Sequence, residues 1–172
     1  TIFAQYFFPR WAKQDNVDVF WSPRHHLPLF LAQNIKAVVT IHDLVWKFYP
    51  ETMSVLGRWL ERGLMPPSLA RAERVITVSE STQLDLREHF PLVASKLAVV
   101  KAGLSCKDES TKLETAMVPY FLFVGTLEPR KNLPRLLNAF GIFTQTNNDT
   151  NLVLVGGEGW GKESLTIIID RL

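Results

Sequence analysis

The stretch that decides the fold is Tyr120–Phe140, YFLFVGTLEPRKNLPRLLNAF. Tyr120 to Val124 is an apolar run rich in β-formers, and it reads as a strand buried on both faces. Gly125 ends that strand, and Thr126 to Asn132 is a turn carrying Pro129, Arg130 and Lys131. A helix follows, because Leu133, Leu136, Leu137 and Phe140 recur at i, i+3, i+4 and i+7. Asn132 is placed to cap this helix, and Pro134 falls in its first turn, where a missing N–H costs nothing. Strand, basic loop and helix N-terminus together gather free backbone N–H groups, the positive end of a helix dipole and two cations. Anionic phosphate is the natural guest of such a unit. A solvated basic turn is the alternative that the residues alone leave open.

Working outward, the chain alternates β and α, which predicts parallel sheets with right-handed crossovers. Phe3, Tyr6, Phe7 and Trp11 mark a helix that ends before Gln14–Asn16, and Val17–Trp21 is a short strand. His25 and His26 follow it; adjacent residues of an extended segment point opposite ways, so a polar loop is favoured over a metal site. Lys36–Ile41 is a buried strand that delivers His42 and Asp43 at its carboxyl end, where open α/β sheets gather their ligands. A loop histidine bonded to backbone is the competing reading. Thr52–Ala72 is helical, with Pro66-Pro67 expected to end one helix before another begins. Arg74–Val78 is the third strand, Ser79 caps the helix after it, and Leu97–Lys101 is the fourth. Ser105–Val118 is polar and aperiodic, and is expected to be a linker. Leu152–Val155 is the last strand, followed by a glycine run, Gly156-Gly157-Glu158-Gly159-Trp160-Gly161, and an apolar helix over Leu165–Leu172. That run lacks the G-x-G-x-x-G spacing of a dinucleotide site, and the acid expected about 20 residues later would fall beyond Leu172.

Composition narrows the function classes. Of 172 residues 47% are hydrophobic, enough for a core, so the chain is not disordered as a whole. A net charge of +2 gives no long-range field for nucleic acid. The single cysteine, Cys106, permits no internal disulfide and fits a reducing compartment. No apolar run approaches the roughly 18 residues of a membrane span. The opening at Thr1 has neither an initiator Met nor a signal peptide, as expected for the inside of a longer protein.

The wording of three segments resembles one enzyme family. VGTLEPRKN (124–132) with the LxxLLxAF helix (133–140) resembles the start of the C-terminal domain of family-4 retaining glycosyltransferases, which have the GT-B fold. IHDL (41–44) resembles the acceptor-domain histidine motif of that family, and SLARAERVITVSESTQLDL (68–86) resembles the corresponding segment almost word for word. The resemblance implies two Rossmann-like parallel-sheet units, each incomplete in this chain. Residues 1–104 would be the second half of an acceptor-side domain, 105–118 a linker, and 119–172 the first half of a nucleotide-sugar-binding domain. The family's N-terminal glycine-rich loop would precede Thr1, and its paired glutamates would follow Leu172. Half-sheets of this kind expose an edge and an apolar face, so self-association of the chain is expected.

The family resemblance also assigns roles. Lys131 matches the family lysine by its spacing from Val124-Gly125. The family arginine more often follows that glycine directly, where this chain has Thr126, so Arg130 is the candidate for its phosphate contact. Gly125, Thr126, Arg130, Lys131 and Asn132 would surround the donor phosphates. His42, with Asp43 beside it, would hydrogen-bond the transferred sugar. The catalytic set is then His42, Lys131 and Arg130, with no cofactor and no obligatory metal. The implied reaction moves a hexose, with mannose the leading choice, from a nucleotide sugar to a glycan or lipid-linked acceptor. GDP-mannose is favoured as donor, with UDP- and ADP-sugars as alternatives. A cytoplasmic enzyme follows, with peripheral membrane contact an option for the full protein. A non-catalytic fragment that folds by association, or a Rossmann oxidoreductase, are the other readings.

Overall fold

The strand-forming runs Lys36–Ile41 and Arg74–Thr77 have apolar centres, as in parallel sheets covered by crossover helices. The computed structural model describes residues 2–103, 118–128, 131–157 and 159. The chain divides into two compact units, Thr1–Cys106 and Lys107–Leu172. Both are α/β units of the Rossmann-like, GT-B type.

The first unit holds α1 (Ile2–Gln14), β1 (Val19–Ser22), β2 (Lys36–Ile41), α2 (Val45–Phe48), α3 (Val55–Arg71), β3 (Arg74–Thr77), α4 (Glu80–His89) and β4 (Leu97–Val99). Its four strands form one parallel sheet in the order β1-β2-β3-β4. Val39 and Ile41 of β2 and Val75 of β3 are fully buried, packed with Leu27, Met65, Leu69 and Leu86. Helix starts follow side-chain caps: Ser54 accepts from the Gly57 N–H at the head of α3, and Ser79 from the Thr82 N–H at the head of α4.

The two prolines do not break α3, contrary to the sequence expectation. Pro66 and Pro67 remove donors to the carbonyls of Arg62 and Gly63, and both of those residues are solvent-exposed, so water can take the carbonyls. Met65, Ser68 and Leu69, which flank the pair, are buried against the sheet and hold the helix in one piece.

The second unit contains β5 (Tyr120–Val124), α5 (Leu133–Thr144) and β6 (Asn151–Val155), with β5 and β6 parallel and in register Tyr120↔Asn151 through Val124↔Val155. Leu133 and Leu137 are its buried residues, packed on Phe123, Leu127, Leu152 and Leu154. Here β5 departs from the reading of a strand buried on both faces: Leu122 is 55% and Val124 71% exposed. Among the described residues one helix covers one side of a two-stranded sheet, and the apolar side chains of the other side are exposed. Asn132 does occupy the N-cap position of α5, but in the left-handed region (φ 54°) and without a side-chain cap. The linker expected over 105–118, apart from Val118, and the helix expected over Leu165–Leu172 lie outside the described residues.

Candidate functional site

In the first unit the site grows from the end of β1. Buried Ser22 donates its Oγ–H to the His26 carbonyl at 2.7 Å and accepts the Arg24 N–H, coiling residues 22–26 around one hydroxyl. That coil corrects the expectation that His25 and His26 point apart. His25 Nδ1 and His26 Nε2 both lie 3.1 Å from Oε2 of Glu61 on α3. The His25 contact is a hydrogen bond, whereas His26 Nε2 sits at ion-pair distance with no hydrogen-bond partner of acceptable geometry.

His25 also fixes His42. The His42 backbone N–H donates to His25 Nε2 at 3.1 Å, which places the His25 ring proton on Nδ1, toward Glu61. His42 Nε2 lies 2.9 Å from the Pro23 carbonyl, an acceptor only, so that nitrogen carries a proton, and in the neutral ring Nδ1 is the acceptor. Thr82, at the head of α4, donates its hydroxyl to the His42 carbonyl. His42 thus stands at the carboxyl end of a central strand, held from the β1 loop and from α4. It lines a cleft of about 900 Å³ with Phe20, Trp21, His25, His26 and Glu61 among its walls. Asp43 accepts the Val45 N–H at 3.0 Å, so its carboxylate shapes the start of α2.

Burial alone would raise the pKa of Glu61, but the His25 hydrogen bond and the adjacent His26 ring outweigh it and hold the group at about 2 against an ordinary 4.5. A depressed carboxylate stabilises the fold above its unfolded value, and that contribution is lost as the pH falls from 4.5 toward about 2. Thermal melts at stepped pH should therefore show the gap between wild type and Glu61→Gln narrowing across this window. A gap that stays constant there would contradict the assignment.

In the second unit the loop after β5 is tied to the loop after β6. Gly125 N–H donates to the Val155 carbonyl at 2.8 Å and Leu127 N–H to the Gly157 carbonyl at 3.0 Å, extending the strand pairing into the loops. A Cβ on Gly156 would collide with the Gly125 carbonyl, and one on Gly159 would sit 2.5 Å from the Leu127 carbonyl. The glycine run is therefore a close-approach device that braces the β5–α5 loop. Glu128 donates its N–H to the Thr126 carbonyl and accepts the Lys131 N–H. Lys131 is exposed immediately before the head of α5, with no ion pair among the described residues; Thr126 is also exposed. Pro129, Arg130 and Trp160 lie outside the described residues.

The structure thus joins His42 with His25, His26 and Glu61 in one unit, and Gly125, Thr126, Lys131 and Asn132 on one loop in the other. Sequence reasoning missed Glu61, which sits on an amphipathic helix between arginine neighbours with no local signal of its partners. Among the described residues no cluster of three or more His, Cys, Asp or Glu could hold a metal, and no helix is long and apolar enough to cross a membrane.

Two units of parallel strands alternating with helices are the architecture of GT-B-type α/β proteins. The family model described as Glycosyltransferase Family 4 matches residues 1–107, and that described as Glycosyl transferases group 1 matches residues 107–169. The chain belongs to glycosyltransferase family 4. It is similar to the O-antigen chain mannosyltransferase B of Escherichia coli, 29% identical over 94% of this chain and 45% of that protein. A serotype-specific mannosyltransferase WbdA of Escherichia coli is 35% identical over 75% of this chain and 18% of its own length. The chain spans less than half the length of these curated relatives. Among solved structures, a complex of accessory secretory proteins 1, 2 and 3 from Streptococcus pneumoniae aligns with a TM-score of 0.48 and 14% identity, over 97% of this chain and 32% of that one.

Proposed function

We propose that this chain forms part of a retaining mannosyltransferase that takes its sugar from a nucleotide donor, GDP-mannose first and UDP- or ADP-sugars as alternatives, and passes it to a glycan or lipid-linked acceptor. The observation that carries this reading is His42, held at the carboxyl end of β2 with Nδ1 left to accept a sugar hydroxyl in the cleft. The mannosyltransferases among its relatives support the choice of sugar.

Departure of a nucleoside diphosphate needs preorganised positive charge, which Lys131, Arg130 and the N-terminus of α5 supply in this reading. The leaving phosphate accepts the acceptor proton, so His42 orients sugar and is no general base. Neither metal nor cofactor has a part in the scheme, and contact with a membrane would be peripheral. Calorimetric titration of the chain with GDP-mannose, UDP-glucose and NADH separates the classes. Binding of a nucleotide sugar supports the proposal, whereas NADH binding without it would favour an oxidoreductase.

Residues 1–104, 105–118 and 119–172 are proposed as acceptor-side unit, connector and donor-side unit. The division by contacts at Cys106–Lys107 and the meeting of the two family matches at residue 107 support this. Self-association is a further expectation, carried by the exposed apolar side of β5 and β6, where Tyr120, Leu122 and Val153 also face solvent. Sedimentation velocity over a concentration series should show the weight-average mass rising above one chain. A constant monomer mass would remove this expectation.

A further inference from the structure

Helix α3 is a wall between two clefts. Gly57, Leu60 and Glu61 face the His42 cleft, whereas Arg58, Trp59 and Arg62 line a second one of about 600 Å³, with Trp46 and Lys47 of α2. We propose that this second cleft binds a phosphorylated sugar, with phosphate on the cations and the sugar ring against Trp59. The inference concerns a different face of α3 and does not rest on the donor reading.

Three cations line the cleft, and no carboxylate does. Arg58 and Arg62 stand one turn apart on α3, an arrangement of like charges that is unfavourable until an anion joins them. Neither they nor Lys47 has an ion pair among the described residues. Guanidinium groups spaced by a helical turn offer paired donors suited to phosphate oxygens. The indoles give the cleft its second character. Trp46 donates its Nε1–H toward Met65 Sδ at 3.1 Å, which fixes its ring in the wall. Trp59 is 63% exposed, a large flat apolar surface beside the arginines. A solvated basic helix face has no use for two tryptophans in a concavity. A sugar phosphate uses both kinds of group, since its ring offers an apolar C–H face and its phosphate an anion. The volume lies within the range of small-molecule sites.

The phosphate could arrive on a soluble sugar or on a lipid headgroup, and the test separates these sources. Calorimetry at constant ionic strength compares mannose 1-phosphate with mannose. Flotation compares vesicles of phosphatidylcholine with vesicles that also contain phosphatidic acid. Saturable binding of the sugar phosphate, with none of mannose, is expected. Arg58→Gln with Arg62→Gln should weaken it by about tenfold or more, and Trp59→Ala should weaken it as well. Lys36→Gln, which removes a cation elsewhere on the unit, should leave it unchanged. These substitutions fall on side chains outside the core, and circular dichroism checks their folding. Equal affinity in the double variant overturns the proposal, as does the absence of saturable binding of mannose 1-phosphate. Binding to phosphatidic acid vesicles without binding of the soluble sugar phosphate overturns the sugar component.

Discussion

Replacing Lys131 by alanine should lower kcat/KM for a nucleotide sugar by roughly 10²–10³-fold in an active enzyme carrying this segment, as for loss of one preorganised electrostatic group at about 3–4 kcal/mol. The side chain is exposed at the head of α5, has no ion pair among the described residues, and follows a loop braced by the pairing to β6. Its ammonium therefore adds to the helix dipole at one point. Loss of charge should act on departure of the diphosphate, so the fall should lie in kcat more than in KM. Lys131→Arg should retain part of the rate, because charge is kept while reach and geometry change. Arg130→Ala should cost less than Lys131→Ala if Thr126 marks a reassignment of the arginine role. Turnover close to wild type in Lys131→Ala would remove the lysine from the mechanism.

Leu137→Ala should unfold the second unit while leaving the first intact. Leu133 and Leu137 are the buried residues of its described core, and Leu137 is 3% exposed on the face of α5 that meets β5 and β6. Truncating a buried leucine costs about 2–5 kcal/mol. Among the described residues the unit is a two-stranded sheet with one covering helix, a small core with little to absorb that loss. Amide exchange should show loss of protection in 120–124 and 151–155 together, with β2 and β3 still protected. Uniform loss across both units would mean that they unfold as one.

Much of the fold is legible locally. The KAVVTI run of β2, the RVIT run of β3 and the Ser79 cap carry their signals within a few residues, because buried parallel strands and capped helices are local patterns. The places of His42 at a strand end and of Lys131 before a helix were legible in another way, from the order of the elements around them. The remainder depended on partners distant in sequence. Glu61 lies 36 residues from His25, and no short pattern announces that two neighbouring histidines will turn toward it. Their convergence follows from Ser22 coiling the loop, which a period-2 reading of an extended chain does not contain. The intact α3 likewise depends on exposure of the Arg62 and Gly63 backbone, a tertiary property. Exposure of β5 was hidden for the same reason, since an apolar run reports what a strand can cover and not what covers it.

The approach of Gly156 to the Gly125 carbonyl has a consequence for the variation this scaffold can accept. Position 156 is closed to every residue with a side chain as long as Gly125 keeps its bond to Val155. Thr126, by contrast, projects into solvent one residue beyond that bond. A library that randomises the β5–α5 loop together with position 156 should recover diversity at 126 and glycine alone at 156. The β5–α5 loop is tunable in its side chains because its backbone is clamped from the neighbouring strand.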